Sequence, residues 1–208
     1  MTTLLVIAKE PRPGRVKTRL TPPFSAEQAA ALAEASLADT LWTVAETPAD
    51  RRVLALDGAP GPWLPPGFDV VPQCAGGLDE RLADAFARCT GPTLLIGMDT
   101  PQVTPALLTV DLAECDAYFG PAEDGGFWAL GLADPDPALL RGVPMSVPET
   151  GAVQRRRLVA AGLRVRDLPR LRDVDTAADA AAVAALVPHG RFAAALARCA
   201  AHSGTGRR

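Results

Sequence analysis

Paired cysteines, histidines and long apolar runs are what this 208-residue sequence has least of. Cys74, Cys89, Cys115 and Cys199 are far apart and form no C-x-x-C pair, which excludes a thiolate zinc site or a dithiol redox centre of ordinary spacing. They read as reduced packing residues and point to a cytoplasmic address. Of the two histidines, His189 precedes a glycine at a helix boundary and His202 falls at the end of the last helix, so neither is a candidate base. No run approaches the about 20 apolar residues of a membrane span. The apolar stretch that follows Met1 reads as a strand rather than a signal peptide. A net charge of -3 and a pI near 5.4 exert no long-range pull on nucleic acid or anionic membrane, so an anionic ligand must be held by a local group of cations. Neither G-x-x-x-x-G-K-[ST] nor G-x-G-x-x-G occurs, which disfavours a P-loop ATPase and a dinucleotide oxidoreductase.

What is present is an ordinary globular composition, 48% apolar with 22% charged residues of mixed sign and no break in character. One domain over residues 1–202 is expected, with a disordered tail over 203–208. Leu4 to Ala8 is a continuously apolar strand that delivers the chain into a loop with Pro11, Pro13 and Gly14. Ser25 with Gln28 is a capping-box signature, and the apolar residues that follow keep helical spacing to Val44. Arg52–Leu56 and Asp69–Val71 read as strands, separated by a surface loop over 58–67 that carries Trp63. A helix then runs from Leu78 to Cys89, followed by the apolar strand Thr93–Ile96. Thr104 before Pro105 opens a helix expected to reach about Cys115. Strands at Ala117–Gly120 and Phe127–Leu132 flank an acidic glycine loop, a helix covers Glu149–Ala161, and Arg164–Leu168 is the last strand. Thr176 with Asp179 caps a helix through Val187, and a final helix from about Arg191 to Ala201 is expected on the outside of the sheet. Alternating strands and helices predict a three-layer α/β/α domain with a mostly parallel twisted sheet. Ligands in such folds sit beyond the carboxyl ends of the strands, which selects the loops after Ala8, Gly97, Gly120 and Leu168.

Those four loops hold the unusual residues. Lys9, Arg12, Arg15, Lys17 and Arg19 place five cations in eleven residues around Gly14, a cradle for polyphosphate or, alternatively, a solvated basic loop. Asp99, in Gly97-Met98-Asp99-Thr100-Pro101, is a carboxylate at a strand end, suited to Mg²⁺ or Mn²⁺ or to a simple turn. Asp124 lies in Pro121-Ala122-Glu123-Asp124-Gly125-Gly126, where a tight Asp-Gly turn is the other reading. Asp173-Val174-Asp175-Thr176 puts alternating acids before a helix cap, with either acid the ligand and the other turn chemistry. Trp63, Trp128 and Trp42 could stack on a base or sugar, although Trp42 in its helix reads first as core.

Taken in order, V-I-A-K-E-P-R-P-G-R-V-K-T-R-L, Gln73 with G-G-L-D-E-R-L, G-M-D-T-P, P-A-E-D-G-G-F-W-A-L-G-L and D-V-D-T-A-A-D resemble a bacterial family. It is the one labelled arsenosugar-biosynthesis or radical-SAM/selenodomain-associated glycosyltransferase, in the nucleotide-diphospho-sugar transferase superfamily with the GT-A fold. The sequence is distantly similar to phospholactate and molybdenum-cofactor guanylyltransferases. The resemblance spans roughly residues 4–187. It implies that Lys9, Gly14, Arg15, Lys17 and Arg19 hold the phosphates and that Gln73, Gly76, Gly77, Leu78 and Glu80 line the base or sugar pocket. It further implies Asp99 with Asp173 or Asp175 as metal ligands and Asp124 facing the acceptor. Two departures fall on the acceptor side: Phe127 stands where tyrosine is expected, and Met145-Ser146-Val147 where Trp-Ser-Thr is expected.

Two reactions fit these groups. In nucleotidyl transfer an acceptor oxygen attacks the α-phosphate of a nucleoside triphosphate while Lys17 and Arg19 steady the departing pyrophosphate. In glycosyl transfer the donor is a nucleoside diphosphate sugar, and Asp124 takes the proton of the acceptor hydroxyl. The density of cations favours the triphosphate; the family label favours the sugar nucleotide. A protein that binds nucleotide without turnover is the third reading.

Overall fold

The computed structural model describes residues 2–204, and among these seven strands form one sheet. They are β1 (Thr3–Lys9), β2 (Arg51–Asp57), β3 (Asp69–Pro72), β4 (Thr93–Ile96), β5 (Ala117–Pro121), β6 (Phe127–Leu132) and β7 (Val165–Asp167). The order across the sheet is β3-β2-β1-β4-β6-β5-β7, with every pairing parallel except those of β6 to β4 and β5. The expected single α/β domain with a mostly parallel sheet is what the chain forms.

Alternation along β1 builds two cores. Leu4, Val6 and Ala8 face α1 (Ala26–Glu46) and pack with its Leu37, Leu41 and Val44. Leu5 faces the other way, toward Leu82 and Phe86 of α2 (Leu78–Ala87) and Leu158 of α4 (Thr150–Ala160). The sheet is thereby covered on both faces, as continuous apolar runs require. At the start of α1 the Ser25 hydroxyl accepts from the Gln28 N–H while the Gln28 side chain accepts from the Ser25 N–H, the reciprocal cap that the spacing predicts. Such a cap contributes about 1 kcal/mol. Thr176 and Asp179 cap α5 (Ala177–Leu186) in the same way.

Two expectations need correction. The helix opened by Thr104 and Pro105, α3 (Pro105–Leu108), stops after one turn instead of reaching Cys115. Thr109 turns extended and its hydroxyl donates back to the Pro105 carbonyl, while the Tyr118 hydroxyl holds Asp111 through both backbone groups. The last helix, α6 (Arg191–Gly204), packs on α1 and α5 rather than on the sheet, because Phe192, Ala195 and Cys199 join Leu32, Ala35, Ala180 and Val183 in a separate cluster. Of the expected tail over 203–208, residues 205–208 lie outside the described residues. All four cysteines are thiols, three of them buried. Among the described residues no helix is long and apolar enough to cross a membrane.

Candidate functional site

The loop after β1 is pinned to the protein at both ends of its cationic run. Glu10 pairs with Arg12 at 2.7 Å and accepts from the Ala59 N–H at 2.8 Å; the hydrogen bond from Arg12, then that from Ala59, hold the Glu10 carboxyl below the ordinary value. Farther on, Val16 packs on Ala30 and Ala33 of α1, and Leu20 is fully buried against α1 and α5. Between these two apolar pins Lys17 adopts the left-handed conformation, φ 49 and ψ 38, at the head of a 3-10 turn over Thr18–Leu20. That conformation is disfavoured for a lysine and persists where surrounding contacts impose it.

Here the contacts are electrostatic. Lys17 Nζ lies 2.8 Å from Asp99 Oδ1 and 3.3 Å from Asp175 Oδ1, with only 7% of the side chain exposed. Burial alone would lower the ammonium pKa, but the charges of Asp99 and then Asp175 outweigh it and hold it above the ordinary lysine value. Arg19 Nη1 reaches the other oxygen of Asp175 at 3.0 Å. The acids themselves are brought together by backbone: the Val174 N–H donates to the Asp99 carbonyl at 3.0 Å, and Gln102 Nε2 donates to the Arg172 carbonyl at 2.7 Å. The end of β4 is thus stitched to the segment 172–175. Asp173 is the outlier, since its Oδ1 is buried with no hydrogen-bond partner among the described residues. Burial, then repulsion from Asp124 and Asp99, raises its pKa to about 8.

Whether these acids suit a divalent metal can be judged from the oxygens left over. Among the described residues no three His, Cys, Asp or Glu side chains stand ready as a ligand set, and the Lys17 ammonium sits between Asp99 and Asp175. Yet Asp173 Oδ1 is a buried carboxylate oxygen without a partner among the described residues. An ionised oxygen left this way is strongly destabilising unless a proton or cation joins it. An all-carboxylate donor set matches Mg²⁺ or Mn²⁺, so the residues fit such an ion.

A cleft of about 750 Å³ runs over these groups, lined by Lys9, Arg15, Lys17, Arg19, Asp99, Asp124, Asp173 and Asp175 together. At one end lies Gln73, whose amide NH₂ is spent on the carbonyls of Ala8 at 2.7 Å and Ala55 at 2.9 Å, with Oε1 3.4 Å from Arg81. Gly76 lies beside it, its carbonyl accepting from Arg81 Nε at 3.1 Å, and Leu78 lines the cleft as well. Gly14, Gly77 and Glu80 do not. Gly14 forms a left-handed turn outside the cleft, and the Glu80 carboxylate caps α2 by accepting from the Gly77 N–H at 2.9 Å.

At the other end the Asp124–Gly126 loop serves both readings given to it. Asp124 lines the cleft, yet one of its oxygens accepts from the Gly126 N–H at 2.8 Å as in an ordinary Asp-Gly turn. The loop packs directly on the start of α4. A Cβ on Gly125, at φ +90, would lie 2.0 Å from the Pro148 carbonyl oxygen, and one on Gly151 would lie 2.4 Å from that of Gly126. Phe127 and Met145 through Pro148 complete this wall, with Ser146 left-handed at φ 60. Residues 145–147 stand in the sequence only as departures from a family pattern; Arg81 and Leu82 close the G-G-L-D-E-R-L motif, but as ordinary members of an amphipathic helix they have no place in the pocket as the sequence reads.

The tryptophans depart from expectation. Trp63 is buried against α1, Trp42 is 40% exposed beneath the Arg191 guanidinium, and both line a separate groove beside α6 rather than this cleft. Neither can stack on a ligand held by the acids. Trp128 lines the cleft but is 2% exposed, with Nε1 committed to the Pro169 carbonyl at 3.0 Å.

Similarity to solved structures follows this architecture. A protein from Desulfovibrio desulfuricans G20, provisionally named a nucleotide-diphospho-sugar transferase, superposes with a TM-score of 0.85 at 26% identity, over 96% of this chain and 95% of that one. CMP:2-keto-3-deoxy-manno-octonic acid synthetase in complex with CTP shares the fold at a TM-score of 0.58 and 12% identity, over 90% and 98% of the two chains. The 2-C-methyl-D-erythritol 4-phosphate cytidylyltransferase of Thermus thermophilus does so at 0.55 and 16%, over 90% and 100%. No curated protein matches the sequence. Residues 28–147, more than half of the chain, match the family described as an uncharacterized protein conserved in bacteria, DUF2064, and the chain belongs to that family.

Proposed function

We propose that this protein is a cytoplasmic, metal-dependent nucleotidyltransferase that moves a nucleoside monophosphate from a nucleoside triphosphate to a small phosphorylated or hydroxylated acceptor. The observation that carries this reading is the meeting of the basic loop with acids from two other segments, Lys17 Nζ standing 2.8 Å from Asp99 and 3.3 Å from Asp175. The acceptor oxygen forms a bond to the α-phosphorus, the bond from that phosphorus to the bridging oxygen breaks, and pyrophosphate leaves with the electron pair. Arg15 and Arg19, both exposed at the cleft, bind the phosphates, and Arg19 and Lys17 offset the charge that grows on the leaving group. Gln73 and Gly76 line the end that takes the base, together with Arg81. Asp124, at the opposite end, accepts the proton of a hydroxylated acceptor. Asp99 and Asp173 would hold Mg²⁺ or Mn²⁺, with Asp175 balancing Lys17 and Arg19. When bound, that ion supplies further neutralisation of phosphate charge.

Glycosyl transfer from a nucleoside diphosphate sugar is the second reading, favoured by the name of the Desulfovibrio protein. A screen of nucleoside triphosphates and nucleoside diphosphate sugars for Mg²⁺-dependent thermal stabilisation, followed by assay of the released product, separates the two. Pyrophosphate release supports nucleotidyl transfer; nucleoside diphosphate release selects glycosyl transfer; no stabilisation by any compound sinks both. Asp99→Asn removes one charge at constant volume, and a fall in turnover of about a hundredfold or more is expected with folding retained. Full activity in this variant refutes the metal assignment.

A further inference from the structure

The cleft changes character along its length. Its charged centre gives way, on the Asp124 side, to a wall made by the core itself. Phe127 and Met145 pack with Leu82 as the edge of the hydrophobic cluster that fills the α2 and α4 face of the sheet, and the Phe127 ring lies 5.8 Å from that of Phe119. Leu78 and Val147, 42% and 40% exposed, line the same cleft. The start of α2, which carries Leu78, is tied to the loop carrying Met145 and Val147 by the Gly142 N–H, which donates to Asp79 Oδ2 at 2.8 Å. These apolar groups are therefore held in place without a ligand.

Beyond the Ser146 hydroxyl, the same stretch offers few polar partners. The Thr150 hydroxyl donates to the Pro144 carbonyl at 2.8 Å and accepts from the Val147 N–H at 3.2 Å, and one oxygen of Asp124 serves the Gly126 N–H. A polyol or sugar phosphate loses water from each hydroxyl it buries and needs a partner for each in return. An alkyl or aryl group loses nothing on entering and removes Leu78 and Val147 from water.

Resting on the nucleotidyl-transfer reading for its placement of the phosphates, we infer that the acceptor is amphiphilic: a phosphate or hydroxyl group attached to an apolar body. The apolar body lies against Leu78, Leu82, Phe127, Met145 and Val147, and its reactive oxygen points toward the charged centre at Lys17 and Asp99. Leu78 and Val147 set its selectivity.

The test is a calorimetric titration of the full chain, with Mg²⁺, by glycerol 1-phosphate, butyl phosphate and hexyl phosphate. The expected result is tightening of about three- to fourfold per methylene from butyl to hexyl phosphate, with hexyl phosphate at least about tenfold tighter than glycerol 1-phosphate. Leu78→Ser and Val147→Ser, each at an exposed position, should flatten the series. A flat series in the wild type, tighter binding of glycerol 1-phosphate, or an unaltered series in both variants overturns the inference. Stabilisation by nucleoside triphosphates is measured alongside. If it is present with a flat alkyl series, this inference alone fails; if it is absent with a steep series, the apolar site stands and the nucleotide reading fails.

Discussion

The two walls of the cleft are held by different forces. On one wall Lys17, Arg19, Asp99 and Asp175 position one another by charge, around a lysine in a left-handed conformation. On the other, Gly125, Gly126, Pro148 and Gly151 are locked by backbone contact, the Gly151 N–H donating to the Gly125 carbonyl at 2.8 Å. Charges respond to whatever binds, because a phosphate or a metal competes for the same partners. A backbone seam does not. On the reading proposed above, a preformed acceptor wall faces a donor wall whose internal ion pairs are exchanged for ligand contacts.

The sharpest break in that contrast comes from adding one methyl group to a glycine in the seam and to one in the basic loop. Gly125→Ala combines φ +90 with a Cβ 2.0 Å from the Pro148 carbonyl oxygen, so the seam must open. A loss of about 3–5 kcal/mol is expected, enough to remove much of a domain's stability. Gly14→Ala, in the basic loop just outside the cleft, has φ +73 but no described atom within 4 Å of the new Cβ. Only the backbone strain remains, about 1 kcal/mol. Urea unfolding of both variants measures the difference, and equal losses would mean that the Gly125 seam is not rigid.

Lys17→Met probes the charged wall at its centre. Removing a buried ammonium leaves Asp99 and Asp175 facing each other, but these carboxylates are 38% and 29% exposed, so water screens part of the repulsion. A loss of about 1–3 kcal/mol follows, below the range for a fully buried pair. Turnover is expected to fall about a hundredfold or more. Adding Asp99→Asn to Lys17→Met should recover part of the stability while activity stays lost, since the second change removes the charge that the first left unbalanced. Additive losses in the double variant would show that the pair contributes nothing to the wall.

Much of this was legible in the sequence where the determining interactions are local. The Ser25 and Thr176 caps, the apolar runs of β1 and β4, and the basic and acidic loops at strand ends depend on neighbours a few residues away, and all form as their spacing predicts. The tryptophans show where such reading ends. Trp42 sits at a helical position that predicts burial, yet the groove beside α6 leaves it exposed; Trp63 sits in a proline-rich loop, yet that loop folds its ring onto α1. Both outcomes depend on contacts more than a hundred or about twenty residues away along the chain, and neither α6 nor the loop signals its docking site. Asp173 and Asp175 are likewise indistinguishable by pattern. Only the meeting with Lys17 and Arg19 commits Asp175 to ion pairs and leaves Asp173 with the unpartnered oxygen. Glu80 is a similar case: a capping residue and a pocket residue are the same letter until the Gly77 N–H is seen to occupy it.

Arg19→Ala should have the smallest effect on folding and therefore tests function most cleanly. Its side chain is 71% exposed and its one ion pair among the described residues, to Asp175 at 3.0 Å, lies at the surface. Exposed pairs contribute about 0.5 kcal/mol or less, and salt screens even that. Thermal unfolding at low and high salt should therefore barely separate the variant from the parent. Phosphate binding is another matter, because a guanidinium that gives up Asp175 for a phosphate makes charge-assisted hydrogen bonds to the new partner. Affinity for the preferred nucleotide is expected to drop about tenfold, and the drop should shrink as salt rises, since salt weakens the contact already present in the parent. A variant that binds nucleotide as tightly as the parent would confine Arg19 to its pair with Asp175, and the charged wall would then rest its phosphate contacts on Arg15 and Lys17.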